Sequence, residues 1–407
     1  MKIIPCIIGL GYVGLPITLN LSNKLLTYGF DINKERIEKL KKKIDDNGEF
    51  APKKFGNIKR IIFTNKIKDI KNCNFYILCV PTPIHKNKSP NLKALNDATK
   101  TVSKILKKKD IVFIESTVFP GVTEQCKNYL EKHTKLKNNK DFFIGYSPER
   151  VNPGDKINTL KNISKIVSIK TKNKNILKKV FKIYNQISKK IIISKYIRAA
   201  ETAKVIENIQ RDINIALMNE ILLICTKLKI NFGEVIRLAK SKWNFVNFKP
   251  GLVGGHCLPV DPYYLSSIAS KKKVKAEVTL AGRKVNDGML NYIINRLANF
   301  LNKKNKSLKN SRIMIVGLTY KAGVADMRNS LNFKIFKKIK KYNNKVHGCD
   351  PFVGKRFKKT YKIYNKINKN SNYDVIIFLS YHETFKKIFK NVVSYKNKVL
   401  DPFNYYS

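Results

Sequence analysis

Short apolar runs alternate with amphipathic stretches through the first half of the chain. The runs KIIPCII, LLTYGF, CNFYILCV, DIVFIES and KDFFIGYS, and later ISKIVSIK and KIIIS, are rich in β-branched and aromatic residues and predict strands. Between them, LPITLNLSNK, NKERIEKLKKK and NLKALNDATKTVSKILKKK place apolar residues at helical spacing. Strands that alternate with helices of this length predict parallel βαβ units in a doubly wound sheet to about residue 195.

The pattern changes in the middle of the chain. Residues 198–228 carry alanine, leucine and isoleucine at helical spacing and contain no glycine or proline, which predicts one long helix. The lysine- and asparagine-rich NKKNKSLKNS predicts a linker. After it, RIMIVGL, SLNFKIFKKIKKY, KVHGCD and YDVIIFLS predict a second α/β unit. The predicted fold class is therefore α/β, with two doubly wound domains joined by a long central helix and a helical middle domain.

Composition adds little to this division but limits the function. The 407 residues carry a formal net charge of +54, and lysine is spread along the whole chain rather than clustered. That spread favours solvated faces, while a basic nucleic-acid-binding protein stays as an alternative. The seven cysteines form no Cys-x-x-Cys pair, which argues against a disulfide framework or a zinc site. Without an apolar run of 18 residues we expect no membrane span and a cytoplasmic protein.

A glycine motif follows the first predicted strand and opens a helix. In GLGYVG, Gly9 permits a tight turn, Gly11 lets a pyrophosphate approach the backbone, and Gly14 lets helix and strand pack closely. Asp31 ends the second strand, where its carboxylate can bind a ribose hydroxyl, and Arg36 can cover the adenine. Against the alternative of a structural turn, this context predicts a Rossmann-type NAD site.

Three further motifs end predicted strands. CVPTPI (residues 79–84) and ESTVFPG (residues 115–121) are either ordinary turns or two walls of one cofactor cleft, because the carboxyl ends of parallel strands share a sheet edge. In YSPERVNPG, Glu149 and Arg150 form either a surface turn or a substrate contact.

On the long helix, Lys204 and Asn208 lie four residues apart and therefore on one face. A lysine beside a reacting oxygen stabilises a developing alkoxide. The alternative is a lysine that extends its ammonium to solvent from the helix surface.

A cysteine lies in the glycine-rich GLVGGHCLPVDPYYL. Its thiolate is a nucleophile toward an aldehyde and a leaving group from a thioester, which makes Cys257 a candidate catalytic residue. Asp261 is a candidate base for water, while His256 is a weaker candidate because its neighbouring position points its side chain elsewhere. Together with a nicotinamide site, the thiol favours oxidation past the aldehyde.

The motifs GLGYVGLP, VPTP, STVFPG, SPERVNPG, AAETAKVIEN, GLVGGHCLPVDPYYL and GLTYKAGVADMRNS occur in the order found in the nucleotide-sugar 6-dehydrogenase family, and the resemblance covers essentially the whole chain. It implies a two-step, four-electron oxidation of carbon 6 of a UDP-sugar with two NAD. It also implies a homodimer with an NAD-binding domain at residues 1–196, a central helical domain at 197–300 and a UDP-sugar-binding domain at 301–407.

The resemblance also implies roles for individual residues. Cys257 resembles the nucleophile. Lys204 and Asn208 resemble the pair that stabilises the oxyanion and positions the water that hydrolyses the thioester, and Thr117, Glu149 and Asp261 resemble the polar residues around that water. The implied cofactor contacts are Gly9, Gly11, Tyr12, Val13, Gly14, Asp31, Arg36, Pro81, Thr82, Thr117 and Arg328. The implied substrate contacts are Glu149, Arg150, Lys204, Asn208, Phe248, Gly251, Gly254, Tyr320 and Lys321, with Arg283 reaching across the dimer.

Two departures from the UDP-glucose branch indicate the sugar. Val260 stands where that branch has a lysine, and SPERV stands where it has SPEFL. Both resemble the branch that oxidises UDP-N-acetylglucosamine or UDP-N-acetylgalactosamine for surface polysaccharides. UDP-glucose remains the alternative substrate, and a catalytically silent homologue is disfavoured because every expected reactive position is filled.

Overall fold

The structure is a computed structural model that describes residues 2–47, 50, 52–55, 60–151, 157, 159–321, 323–327, 329–367, 372–380, 385 and 397–403. The chain divides into two units, the first formed by Met1–Glu207 with Tyr263–Val274 and the second by Asn208–Pro262 with Lys275–Ser407.

An eight-stranded sheet organises the first unit, in the order β3-β2-β1-β4-β5-β6-β7-β8. Its strands are β1 Pro5–Ile8, β2 Thr27–Phe30, β3 Ile61–Thr64, β4 Phe75–Leu78, β5 Ile111–Ile114, β6 Phe143–Tyr146, β7 Ser164–Ile169 and β8 Lys190–Ser194. The α-helices that connect these strands are α1 Gly14–Ser22, α2 Lys34–Lys41, α3 Lys93–Ser103, α4 Val122–Thr134 and α5 Lys174–Ile187, with short 3₁₀ helices at Pro52–Phe55 and Ile67–Ile70. The strand order reverses between β1 and β4, the position where open α/β sheets bind ligands.

The predicted all-parallel sheet is wrong at one place. Strand β7 pairs antiparallel with β6, with Gly145 opposite Ile169, whereas β7 and β8 are parallel. A parallel return requires a crossover, usually a helix. Among the described residues between β6 and β7 there is no helix, while α5 supplies the crossover from β7 to β8.

The long helix of the sequence prediction is α6, Ile197–Leu228, which continues from the first unit into the second. It is followed by α7 Phe232–Ala239, α8 Asp261–Lys271 and α9 Glu277–Asn302. A five-stranded parallel sheet then has the order β11-β10-β9-β12-β13. Its strands are β9 Ile313–Val316, β10 Val346–Cys349, β11 Ile363–Tyr364, β12 Val375–Phe378 and β13 Val399–Leu400, with helices α10 Leu331–Lys340 and α11 Lys355–Tyr361. The α/β fold class is confirmed.

The two sheets repeat one local device. Gly9 follows β1 with φ +92°, and the N–H of the next residue donates to Asp31 at 2.8 Å. Gly317 follows β9 with φ +83°, and the N–H of the next residue donates to Asp350 at 2.8 Å. However, Asp350 is wholly buried and also accepts from the Thr319 hydroxyl at 3.1 Å, whereas Asp31 is only half-buried. Only the first unit therefore offers this carboxylate to a ligand.

Each unit has its own apolar core. One cluster packs β1, β4 and β5 against α1 and α5, and another packs β9, β10 and β12 against α9 and α10. Among the described residues, no helix is long and apolar enough to cross a membrane.

Candidate active site

The glycine loop after β1 is shaped by contacts that only glycine tolerates. A Cβ on Gly9 would lie 2.7 Å from the Cys79 carbonyl oxygen, and one on Gly14 would lie 1.8 Å from the Gly9 oxygen. A Cβ on Gly11 would meet no atom within 4 Å. Gly9 and Gly14 thus fix the turn, while Gly11 leaves open space above it. Tyr12 and Val13, also predicted to contact the cofactor, are half-buried in this loop.

Arg36 holds the backbone of the glycine loop after β1 in place. Its guanidinium donates to the Leu10 carbonyl from Nε at 3.1 Å and from Nη2 at 2.9 Å. It also forms ion pairs with Asp45, at 2.8 Å, and Asp46. With 7% of its surface exposed, Arg36 has a structural task in the loop that the sequence did not predict.

The cofactor-cleft motifs meet at one sheet edge. The Thr82 hydroxyl, next to Pro81 after β4, donates to the Thr117 carbonyl after β5 at 2.6 Å. The Tyr264 hydroxyl in turn donates to the Thr82 carbonyl. Arg328, predicted to contact the cofactor, lies outside the described residues.

Glu149 is held on both carboxylate oxygens. Its Oε1 accepts the N–H groups of Arg150 at 2.6 Å and Val151 at 2.7 Å, and its Oε2 lies 3.3 Å from the Lys165 ammonium. The Arg150 guanidinium forms an ion pair with Glu207 at 2.7 Å and donates to the Ser164 carbonyl at 3.0 Å. The pair is therefore part of an ordered polar cluster and not a simple surface turn.

Helix α6 carries Lys204 with only 8% of its surface exposed, so the alternative of an ammonium extended into solvent is wrong. One turn before it, the buried Glu201 accepts the N–H groups of Gly121 and Thr123 and so caps the start of α4. Burial raises the pKa of Glu201 above its ordinary value, although these two residues oppose the rise. The sequence did not single out Glu201.

The cysteine loop presents its thiol to solvent. Cys257 is exposed, while the six other cysteines are buried. The N–H of Asp261 donates to the Cys257 carbonyl at 2.8 Å, which closes the turn that enters α8. The side-chain amide of Asn208 donates to the Asp261 carboxylate, which is 2% exposed. His256 turns toward Asp326, with 3.8 Å between Nε2 and Oδ2.

The glycines of this loop are packed by neighbouring residues. The Gly251 N–H donates to Asn219 at 2.8 Å, and the Asn219 amide donates back to the Gly251 carbonyl at 3.0 Å. A Cβ on Gly254 would lie 2.8 Å from the Asn329 carbonyl oxygen. Gly255 has φ +92° and packs on the Tyr320 ring. Phe248, Tyr320 and Lys321, the other predicted substrate contacts of this unit, are half-buried.

Arg283 is placed inside its own protomer. It is 2% exposed and forms ion pairs with Asp212, at 2.7 Å, and Asp287. Asn286 donates to the Asp212 carboxylate at 2.8 Å and accepts from Asn219 at 2.8 Å. Burial raises the pKa of Asp212, against the opposing effect of Arg283. A reach of Arg283 to a partner subunit stays a prediction.

Sequence models of one family match the chain along nearly its full length. The NAD-binding domain of the UDP-glucose/GDP-mannose dehydrogenase family matches residues 1–188, its central domain residues 198–288, and its UDP-binding domain residues 314–407. The chain belongs to this family. It is accordingly an NAD-dependent oxidoreductase that acts on a CH–OH group.

Named relatives of this dehydrogenase are similar over most of their length. The UDP-N-acetyl-D-glucosamine 6-dehydrogenase of Salmonella typhi is 44% identical over 94% of this chain and 90% of its own. The enzyme of the same name from Pseudomonas aeruginosa is 41% identical over 85% of this chain and 82% of its own. Among solved structures, the UDP-D-ManNAc dehydrogenase of Pyrococcus horikoshii superposes with a TM-score of 0.85 at 30% identity. The match includes 98% of this chain and 93% of that structure's chain.

The described residues of this dehydrogenase fit the NAD cofactor of the family. Open space over Gly11, the N-terminus of α1 beside it and the half-buried carboxylate of Asp31 are what a pyrophosphate and a ribose require. Among the residues that the structure describes, no group of His, Cys, Asp and Glu is arranged to hold a metal ion.

Proposed function

We propose that this dehydrogenase oxidises carbon 6 of a UDP-N-acetylhexosamine, UDP-N-acetylglucosamine or UDP-N-acetylgalactosamine, to the uronate for surface polysaccharide biosynthesis. The names of the two curated relatives support an N-acetylated sugar. The observation that carries the proposal is the exposed Cys257 thiol, one turn before an Asp261 carboxylate that Asn208 holds. An alcohol dehydrogenase that stopped at the aldehyde would not need this thiol.

Cys257 is proposed to act as the nucleophile. Its thiolate adds to the carbon 6 aldehyde to form a thiohemiacetal, whose oxidation gives a thioester. Lys204 and Asn208 stabilise the oxygen that carries negative charge during these steps, because a fixed ammonium and amide need no reorganisation as the charge develops.

Hydrolysis of the thioester ends the reaction. Thr117, Glu149 and Asp261 hold a water molecule, and one of the two carboxylates accepts its proton while its oxygen bonds to the acyl carbon. The carbon–sulfur bond then breaks, so that the Cys257 thiolate is released with the uronate. One primary alcohol and one water thereby become one carboxylate.

We propose that NAD is held by Gly9, Gly11, Tyr12, Val13, Gly14, Asp31, Pro81, Thr82 and Thr117, with Arg328 and the loop-supporting Arg36 at its margin. When bound, NAD supplies the oxidising power by accepting one hydride in each of the two oxidations. For the nucleotide sugar we propose the contacts Glu149, Arg150, Phe248, Gly251, Gly254, Tyr320 and Lys321, with Arg283 from a second subunit.

The proposed organisation is a cytoplasmic homodimer with the domain boundaries at residues 196 and 300. Exposed apolar residues on α6 support a partner surface, because Leu217, Ile224 and Leu228 are 49%, 50% and 62% exposed and repeat at helical spacing. Sedimentation equilibrium of the purified protein tests the dimer, and a monomer at micromolar concentration contradicts it.

The deciding experiment measures NADH formed by the purified protein from UDP-N-acetylglucosamine, UDP-N-acetylgalactosamine, UDP-glucose and GDP-mannose. Two NADH per N-acetylated sugar, with little from the other two, is the expected result. Turnover of UDP-glucose alone would establish the other branch of the family. One NADH per sugar would contradict the thioester mechanism.

A further inference from the structure

A buried lysine lies beside Glu149 and has no place in the mechanism above. Lys165, the second residue of β7, has no exposed surface. Its ammonium donates to Glu115, to the Pro148 carbonyl at 3.0 Å and to Glu149 Oε2 at 3.3 Å. A lysine has three N–H donors, so these three acceptors use all of them and fix the direction of the ammonium. Lys165, Glu115 and Glu149 are called the charged triad below.

The three residues of the charged triad differ in their exposure to solvent. The Glu115 and Lys165 side chains are both 0% exposed, whereas the Glu149 side chain is 11% exposed. Glu115 therefore acts as the inner counter-ion of the lysine, and Glu149, which follows β6, is the carboxylate with access to solvent. With two backbone N–H groups on its other oxygen, Glu149 is held in one orientation.

The surroundings keep the lysine charged. Burial opposes the ammonium form, but the carboxylates of Glu115 and Glu149 outweigh this effect and raise the pKa of Lys165. The Cys79 thiol and the Tyr184 hydroxyl also face the charged triad, and burial raises the pKa of both, so they stay neutral. The Arg150 guanidinium is paired with Glu207.

We propose that Lys165 is a positioning residue for the hydrolytic step: it holds Glu149 so that this carboxylate takes the proton of the water that attacks the Cys257 thioester. The inference rests on the proposed function. Lys165 itself contacts neither water nor substrate in this scheme and acts only through Glu149, so the main effect of its loss is slower thioester hydrolysis.

The variants must separate positioning from folding. Lys165→Met alone leaves two buried carboxylates without their cation and is expected to unfold more easily. The double variant Glu115→Gln/Lys165→Met removes both charges of the innermost pair and keeps the side-chain shapes. Lys170→Met, on an exposed lysine just after β7, is the matched control.

The experiment mixes each variant with NAD and UDP-N-acetylglucosamine, or with whichever of the four sugars the wild type turns over fastest. It measures kcat, KM, the melting temperature, and the acyl adduct on Cys257 by intact-protein mass spectrometry after acid quench. For the double variant we expect a melting temperature near that of the wild type, a kcat lower by about tenfold to about a hundredfold, a KM that falls with kcat, and an accumulated adduct. The control is expected to behave as wild type.

Hydrolysis at the wild-type rate in a folded double variant, or a slow variant without adduct, overturns the inference about Lys165 alone. A wild-type protein that forms no NADH from any of the four sugars overturns the proposed function and this inference together.

Discussion

Asn208 donates a hydrogen bond from its side-chain amide to the carboxylate of Asp261, a residue 53 positions further along the chain. The N–H of Asp261 donates to the Cys257 carbonyl at 2.8 Å. Since Asn208 belongs to α6, these two bonds connect the turn that carries the exposed thiol to the long helix. The backbone of Cys257, the Asp261 carboxylate and the Asn208 amide are thereby ordered together.

Replacing Asn208 by aspartate tests this pair. Two carboxylates then face each other, and repulsion is relieved only when they share a proton. We expect Asn208→Asp to lower kcat by about a hundredfold at pH 8 and by less at pH 6. The measurement is the pH profile of kcat, compared with Asn214→Asp, because the Asn214 amide donates to the Gln210 carbonyl of its own helix. An equal loss at both pH values would show that the pair does not matter.

Alkylation distinguishes the seven cysteines. Because only Cys257 is exposed, brief treatment of the native protein with iodoacetamide is expected to modify one thiol and to stop NADH formation. Peptide mass spectrometry identifies the modified residue.

Cys257→Ala is expected to lower uronate formation on the order of a thousandfold or more, with NAD and UDP-sugar binding retained in calorimetry. Normal uronate formation by this variant rules out the covalent mechanism.

Alanine substitutions at two glycines of the loop after β1 are expected to have different effects, one on NAD binding and the other on stability. Gly11→Ala adds a methyl group where no atom lies within 4 Å, so we expect a normal melting temperature and NAD binding weakened about tenfold or more. Gly14→Ala places its methyl group 1.8 Å from the Gly9 oxygen and is expected to destabilise the unit. Melting curves and NAD titrations compare the pair. Unchanged NAD affinity in Gly11→Ala would place the pyrophosphate elsewhere.

The Asn219 side chain supports the cysteine loop through both polar groups of Gly251. Truncation to alanine leaves buried backbone groups without these partners, so we expect Asn219→Ala to lower the free energy of unfolding by about 2–4 kcal/mol. Denaturant unfolding followed by fluorescence measures this change. The control Asn291→Ala removes an exposed amide from α9, with an expected effect within about 0.5 kcal/mol. Similar losses in both variants would contradict this role.

The sequence alone determined the α/β class, the positions of most strands, the long helix and the reactive residue types. It did so because these depend on local periodicity and on motifs confined to a few neighbouring residues. The predicted strand KIIPCII contains β1, and residues 198–228 fall within α6. The ordered set of motifs, with the one that contains Cys257 among them, also indicated the family.

Only the tertiary structure decided which polar residues are buried together. Lys165 looks like one more lysine in a chain with a net charge of +54, yet it has no exposed surface and lies between two glutamates from other strand ends. The sequence also did not predict three other features. These are the antiparallel pairing of β7, the cap of α4 by Glu201 and the bonds of Arg36 to the glycine loop. Each depends on groups far apart in sequence, and the cost of burying a charge is set by the partners that the fold brings to it.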